Sequence, residues 1–221
     1  MEIMGMAMIT LGDQYCRHSG STVTMRCPSC GKEGTLERIN EVIDISTVFN
    51  GEHYIIGQRR CPNRKCHVHI FIVLNRTSEI IDSYPAERID FEKNNIPDNV
   101  LKTFEEAISC HADKCYKASA MMIRRTLEEI CYDKESKGND LYGRLNSLRE
   151  LLVIPKELFD GMHELRLLGN DASHIEAKSY DEIGKEEVEI SIEFTKEILK
   201  AIYQYQHLLS RLKSLKKTAN Q

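Results

Sequence analysis

Four of the eight cysteines form two tight pairs, Cys27/Cys30 in "CPSC" and Cys61/Cys66 in "CPNRKC", with thirty residues between the pairs. This spacing limits the fold more than any other feature. Each pair can turn back as a knuckle, and two knuckles can meet on one ion. The result is a tetrahedral all-thiolate set, the arrangement preferred by structural zinc. A proline after the first cysteine fixes φ for the tight turn. Gly31 allows the close backbone approach that aims amide N–H groups at sulfur. Cys27, Cys30, Cys61 and Cys66 are therefore the expected Zn2+ ligands. Four protein ligands leave no position for water, so the ion's expected role is to hold a sheet too small to bury its own core. His67 and His69 follow the last cysteine and read as surface histidines on alternate positions of a strand, facing the same way.

The stretch around the cysteines has strand character. Between residue 22 and about residue 75, β-branched residues alternate with polar ones. "LERINEVIDISTVF" reads as a strand or a bent pair of strands. Asn50-Gly51 marks a hairpin, because both central positions of a type I′ turn need positive φ. "HYIIGQ" and "HIFIVL" supply two more strands of a small antiparallel sheet. "TSEIIDSYPAERIDFEKNNIP" is polar, carries two prolines and reads as a linker over 79–96. The expected organisation is a zinc-ribbon domain with an amino-terminal extension over 1–78, the linker, and a helical domain over 97–221.

The helical half carries five expected helices. They lie in "PDNVLKTFEEAISCHA", "KCYKASAMMIRRTLEEICYDK", "LYGRLNSLRELL", "PKELFDGMHELRLL" and a final segment that starts near Lys185 and passes Leu215. Gly169-Asn170 offers an αL stop for the fourth. In the last helix, Phe194, Ile198, Ala201, Tyr205, Leu208, Leu212 and Leu215 repeat with a mean spacing of about 3.5, the period of a supercoiled seam. Such a stripe serves as a core-facing edge of a bundle, and its bare part suits a second subunit. The fold class is α+β: a small antiparallel β zinc ribbon before an all-α bundle with a long C-terminal helix.

Charge narrows the functional classes. The net charge of −4 does not suit a strongly basic nucleic-acid binder. The run "RRCPNRK" nonetheless gathers Arg59, Arg60, Arg64 and Lys65 without an acid. These four are candidates for nucleic-acid phosphate, against the plainer reading of a solvated face. No leader is evident and no apolar run approaches the roughly 20 residues of a membrane span. The expectation is a cytoplasmic protein with no membrane partner, in which the remaining Cys16, Cys110, Cys115 and Cys131 are buried thiols. Arg124 and Arg125 are expected to pair with Glu128, Glu129 or a neighbouring helix.

"YPAERIDFEKNNIPDNVLKTFEEAISC", "ASAMMIRRTLEEIC", "LRELLVIPKEL" and "ELRLLGNDASH" together resemble the bacterial domain of unknown function 4145, and the cysteine pairs resemble the zinc ribbon that often precedes it. The resemblance covers roughly residues 25 to 205. That family resembles in turn the HEPN helical domains (higher eukaryotes and prokaryotes nucleotide-binding). These are bundles of four or five helices, many of them metal-independent ribonucleases of toxin and antiviral systems. Their motif is an arginine, frequently followed by asparagine, and a histidine four to six residues on, brought together in two copies across a dimer interface. Here Asn170 and His174 keep the motif's spacing. Gly169 stands at the arginine position, and the nearest arginine is Arg166, one helical turn earlier.

Two functions follow from that resemblance. One is a nucleic-acid- or protein-binding component of a bacterial or phage defence or regulatory system, working as a homodimer with RNA, DNA or a protein as partner. The other is a metal-independent RNA endonuclease with a composite site of Arg166, Asn170 and His174. A near-neutral histidine would move the proton of the attacking 2′-hydroxyl. Arginine would neutralise charge on the phosphate oxygens.

Overall fold

Asn50 and Gly51 adopt φ of 51° and 81°, the left-handed pair that a type I′ turn requires, and the strands they join pair from Phe49↔Glu52 inward. The structure is a computed structural model and describes residues 15–18, 20, 22–39, 42–174 and 182–217. The chain divides into two units between Arg88 and Ile89. The α+β class stands: antiparallel β structure first, then helices ending in a long C-terminal one.

In the first unit the strands are β1 (Tyr15–His18), β2 (Thr24–Arg26), β3 (Glu33–Thr35), β4 (Glu37–Arg38), β5 (Asp44–Phe49), β6 (Glu52–Arg60), β7 (His69–Asn75) and β8 (Ile80–Tyr84). The larger sheet runs β1-β5-β6-β7-β8, with β4 also on β6; β2 and β3 form a separate two-stranded ribbon. Strand alternation decides what is buried. Ile55, Gly57 and Arg59 stand opposite Leu74, Ile72 and Ile70, and all six are buried. Arg59 is accommodated by Asp44, which accepts hydrogen bonds from Nη1 at 2.7 Å and Nη2 at 2.6 Å. A Cβ on Gly57 would collide with the Asp44 carboxylate, so only glycine leaves room for this pair.

The second unit contains α1 (Asp98–Ala112), α2 (Tyr116–Asp133), α3 (Leu141–Leu151), α4 (Lys156–Ser173), α5 (Lys185–Leu199), a π turn (Lys200–Gln204) and α6 (Tyr205–Lys217). Phe104, Ile123, Leu127, Leu145, Leu148, Met162 and Ile192 are fully enclosed in its core. Asp140 caps α3 by accepting the Gly143 N–H at 2.7 Å. Helices α5 and α6 continue each other through the π turn, an element of about 50 Å. Gln204 anchors its middle by donating to the carbonyl of Glu92 at 2.8 Å.

Several expectations change. Ile80–Tyr84, inside the stretch read as a linker, is an edge strand paired with β7, and Ile89, Phe91 and Ile96 pack into the helical core. The fourth helix does not stop at Gly169-Asn170 but runs to Ser173. The reason is packing: a Cβ on Gly169 would overlap Arg124 Cβ and lie 3.0 Å from the Ala120 carbonyl, so glycine serves close approach of α2 and α4, not a left-handed stop. His67 is not on a strand; it is a turn residue at φ 51°, and β7 begins at His69. Cys131 is buried and Cys110 half-buried as expected of inert thiols, but Cys115 is exposed; Cys16 lies outside the described side chains. The C-terminal stripe is split. Ile198 is buried and Phe194 packs on the core, while Tyr205, Leu208, Leu212 and Leu215 are exposed. Among the described residues no helix is long and apolar enough to cross a membrane.

Candidate functional site

The four cysteines meet as their spacing requires. Their sulfurs all lie within 4.8 Å of one another, with Cys27–Cys66 at 3.8 Å and Cys30–Cys61 at 3.7 Å. A tetrahedron with edges of about 3.8 Å has its centre about 2.3 Å from each corner, the length of a zinc–thiolate bond. Two of the sulfur–sulfur separations match that figure and all lie within 4.8 Å, so the set could hold a tetrahedral metal ion.

Both knuckles share one construction. In the first, the Gly31 N–H donates to the Cys27 carbonyl at 2.9 Å and Gly31 sits at φ 68°. In the second, the Cys66 N–H donates to the Asn63 carbonyl at 2.8 Å, and His67 takes the left-handed place that Gly31 holds in the first. Arg26 braces the first turn by donating to the Gly31 carbonyl at 2.8 Å. The sulfurs are not equivalent. Hydrogen bonds from the Asn63 side chain and the Lys32 amide pull the Cys30 thiol down to about 6. Burial pushes Cys61 up to about 12 and raises Cys27 as well. A bound cation would replace those protons.

The basic run beside the knuckle separates into three roles. Arg59 is buried in its ion pair with Asp44, which removes it from any phosphate contact. Arg60 is half-exposed and paired with Glu37 at 2.6 Å. Arg64 and Lys65 are exposed on the turn between Cys61 and Cys66. Strand parity carried the signal for Arg59, which shares the buried face of Ile55 and Gly57. Past the knuckle, His69 stands opposite Arg60 and bonds Gln58 at 2.9 Å. Phe71 and its cross-strand partner Tyr84 are 54% and 69% exposed.

On α4, Arg166 and Asn170 are one turn apart and half-buried. His174 is the C-cap, extended at φ −127° and ψ 123°, and exposed; its N–H donates to the Asn170 carbonyl at 3.0 Å. The row is thus two helical residues and one residue just past the helix end. Two neighbours were not singled out from the sequence. The guanidinium of Arg166 lies over the Tyr142 ring at 5.5 Å, and the His163 ring is 5.0 Å from that of Tyr142. Arg166 Nε and His163 Nδ1 are buried without a hydrogen-bond partner among the described residues. Burial, then the nearby Arg166 charge, lowers the His163 pKa. The signal available in the sequence was the i, i+3 spacing of His163 and Arg166. Arg124 and Arg125 form the ion pairs expected of them, Arg125 with Glu129 at 2.8 Å and with Glu128 at 3.3 Å. Burial raises the pKa of Cys110, which disfavours a thiolate beside its neighbour His111.

No curated protein and no solved structure matches the chain. One family does, over residues 105–218, more than half of the sequence and nearly the whole helical unit; the chain belongs to the family described as domain of unknown function DUF4145.

Proposed function

We propose that the chain is a zinc-stabilised module that binds single-stranded nucleic acid through its β unit. The observation that carries this reading is that Arg60, Gln58, His69, Phe71 and Tyr84 share one face of the sheet by register, with two exposed cations on the knuckle that follows β6. Arg64 and Lys65 are exposed at the knuckle, Arg60, His69 and Gln58 follow, and the exposed rings of Phe71 and Tyr84 come next. Cations track a phosphate backbone, and exposed rings stack unpaired bases. The zinc ion, held by Cys27, Cys30, Cys61 and Cys66, is structural. It stands in for apolar burial in a unit whose core comprises nine buried residues among those described. The resemblance to HEPN domains supports a bacterial or phage defence or regulatory setting in the cytoplasm.

Metal analysis of the purified protein tests the first half, with one zinc per chain expected. Fluorescence anisotropy with single-stranded RNA and DNA tests the second. Removing both cations in Arg64→Ala/Lys65→Ala is expected to lower the slope of log K against log salt by roughly 1.4 to 1.8. Phe71→Ala is expected to weaken binding by about 1–3 kcal/mol with an unchanged salt slope. Binding only to a protein partner, with neither oligonucleotide retained, refutes the reading.

A second reading rests on a different observation. Arg166 offers a buried Nε with no partner among the described residues, beside His163, and the His174 imidazole is exposed at the end of the same helix. That supports the RNA endonuclease, with Arg166 at phosphate, His174 moving protons and Asn170 orienting either. It predicts cleavage of RNA without added magnesium, abolished by His174→Ala with the 222-nm ellipticity unchanged. Equal cleavage by that variant rejects it.

A further inference from the structure

Helix α6 presents an apolar face that its own bundle leaves open. Tyr205, Leu208, Leu209 and Leu212 are each 50–59% exposed, and every residue from Tyr205 to Leu215 is exposed. The helix is also one-signed: residues 205–217 contain four lysines and arginines and no acid. Elsewhere in the same unit is a cleft of opposite character. Between α4 and α5, Gly161, Leu165, Leu168, Ile190 and Phe194 line an open apolar groove of about 260 Å³, rimmed by Glu164 and Glu187. Its floor exists because Gly161 has no side chain where the Phe194 ring lies. Ile190 is 61% exposed at its edge. Residues 186–197 carry five glutamates and one lysine.

Helix α6 cannot reach the groove of its own chain. Leu208 lies eighteen residues beyond Ile190 on one continuous helix, about 27 Å away along the axis. We infer that the occupant is α6 of a second copy: two chains pair their long C-terminal helices antiparallel, each placing its cationic leucine face in the acid-rimmed α4–α5 groove of the other.

A two-fold axis near Ala201 brings Leu208 abreast of Phe194 and Leu212 abreast of Ile190, and sets Arg211 and Lys213 among Glu186, Glu189 and Glu193. The interface is isologous and closes on itself. Charge selects the direction. A parallel pairing aligns glutamates with glutamates and cations with cations, which is repulsive throughout. The inference stands independently of nucleic-acid binding, since it uses the helical unit alone.

Sedimentation equilibrium of the full chain and charge-reversed variants tests it. The wild-type protein is expected to be a dimer. Leu212→Glu is expected to give a monomer that keeps its helical ellipticity at low temperature and melts independently of protein concentration, because that side chain is exposed in the single chain. Arg211→Glu/Lys213→Glu and Glu186→Lys/Glu193→Lys should each weaken the dimer at least about tenfold, and the quadruple variant should recover most of that loss. A parallel dimer is indifferent to all three charge variants, so indifference overturns the inference. A wild-type monomer at about 100 micromolar overturns it too, as does a dimer that withstands Leu212→Glu. Binding of anionic vesicles by a monomer assigns the face to lipid and likewise overturns it.

Discussion

Replacing Gly169 by alanine sets two well-sized effects against each other. In an exposed helix the change stabilises by about 1 kcal/mol, because glycine has more backbone freedom to lose. At residue 169 the added Cβ would overlap Arg124 Cβ and stand 3.0 Å from the Ala120 carbonyl oxygen. Both neighbours are fixed to the α2 backbone, so no rotamer change relieves the contact. Ordinary separation is restored only if α2 and α4 part by about 1 Å, and a gap of that size forfeits a quarter to a half of each dispersion contact at the seam. The seam holds Ile123, Leu127, Leu165 and Leu168, all buried. Overpacking of this kind typically costs about 1–3 kcal/mol, and the rigid neighbours argue for the upper end. The net expectation is a loss of about 2 kcal/mol.

Gly161 on the same helix supplies the control. The obstacle there is the far end of the Phe194 ring, which borders the open groove and can swing aside. Far-UV urea melts of the two variants should therefore order as Gly161→Ala above Gly169→Ala, with Gly169→Ala below wild type. A Gly169→Ala protein more stable than wild type would refute the close-approach reading and return the residue to a merely tolerated glycine.

The other expectations are smaller experiments. Asp44→Ala leaves Arg59, 2% exposed, as an uncompensated buried charge and should destabilise the β unit by about 3–5 kcal/mol; Asp44→Leu/Arg59→Met should lose much less, measured by amide hydrogen exchange of β5 and β6. His67→Gly should slow metal loss to a chelator, since glycine removes a left-handed strain of about 1 kcal/mol. Burial holds the pKa of His111 below its ordinary value despite Glu189 at 3.4 Å, and His163 is lowered likewise. The unfolded chain then binds more protons below about pH 6.5, so stability is complete above that pH and falls as the pH drops towards the folded-state pKa values. His111→Gln should flatten this acid slope in melts between about pH 7.5 and pH 5; an unchanged slope would mean that the buried imidazole is not what titrates.

What the sequence disclosed followed from local rules. The Asn-Gly hairpin, the meeting of the cysteine pairs and the starts of α1 and α4 after Pro97 and Pro155 depend on a few adjacent residues, whose chemistry leaves few alternatives. What stayed hidden depended on distant partners. Gly169 looked like a helix stop because its neighbour across the seam, Arg124, is forty-five residues away. Arg59 looked like a surface cation because Asp44, its counter-ion, lies on another strand. The edge strand at Ile80–Tyr84 was masked by its polar setting and by Pro85 directly after it. The π turn has no residue signature at all, and it is where the apolar stripe leaves the core.

The junction at Gln204 gives one uninterrupted helix two ways of melting. Upstream of it, α5 is clamped in the bundle and loses its structure only when the whole core does. Downstream, α6 inherits a nucleus already formed, so thirteen residues too few to wind alone in water remain wound. In the monomeric Leu212→Glu chain, where no partner groove holds it, its turns come undone one after another from the free end as temperature rises. Warming that variant should thus show a shallow early drift in ellipticity before the steep cooperative step, the drift belonging to α6 alone and smaller in the wild-type dimer.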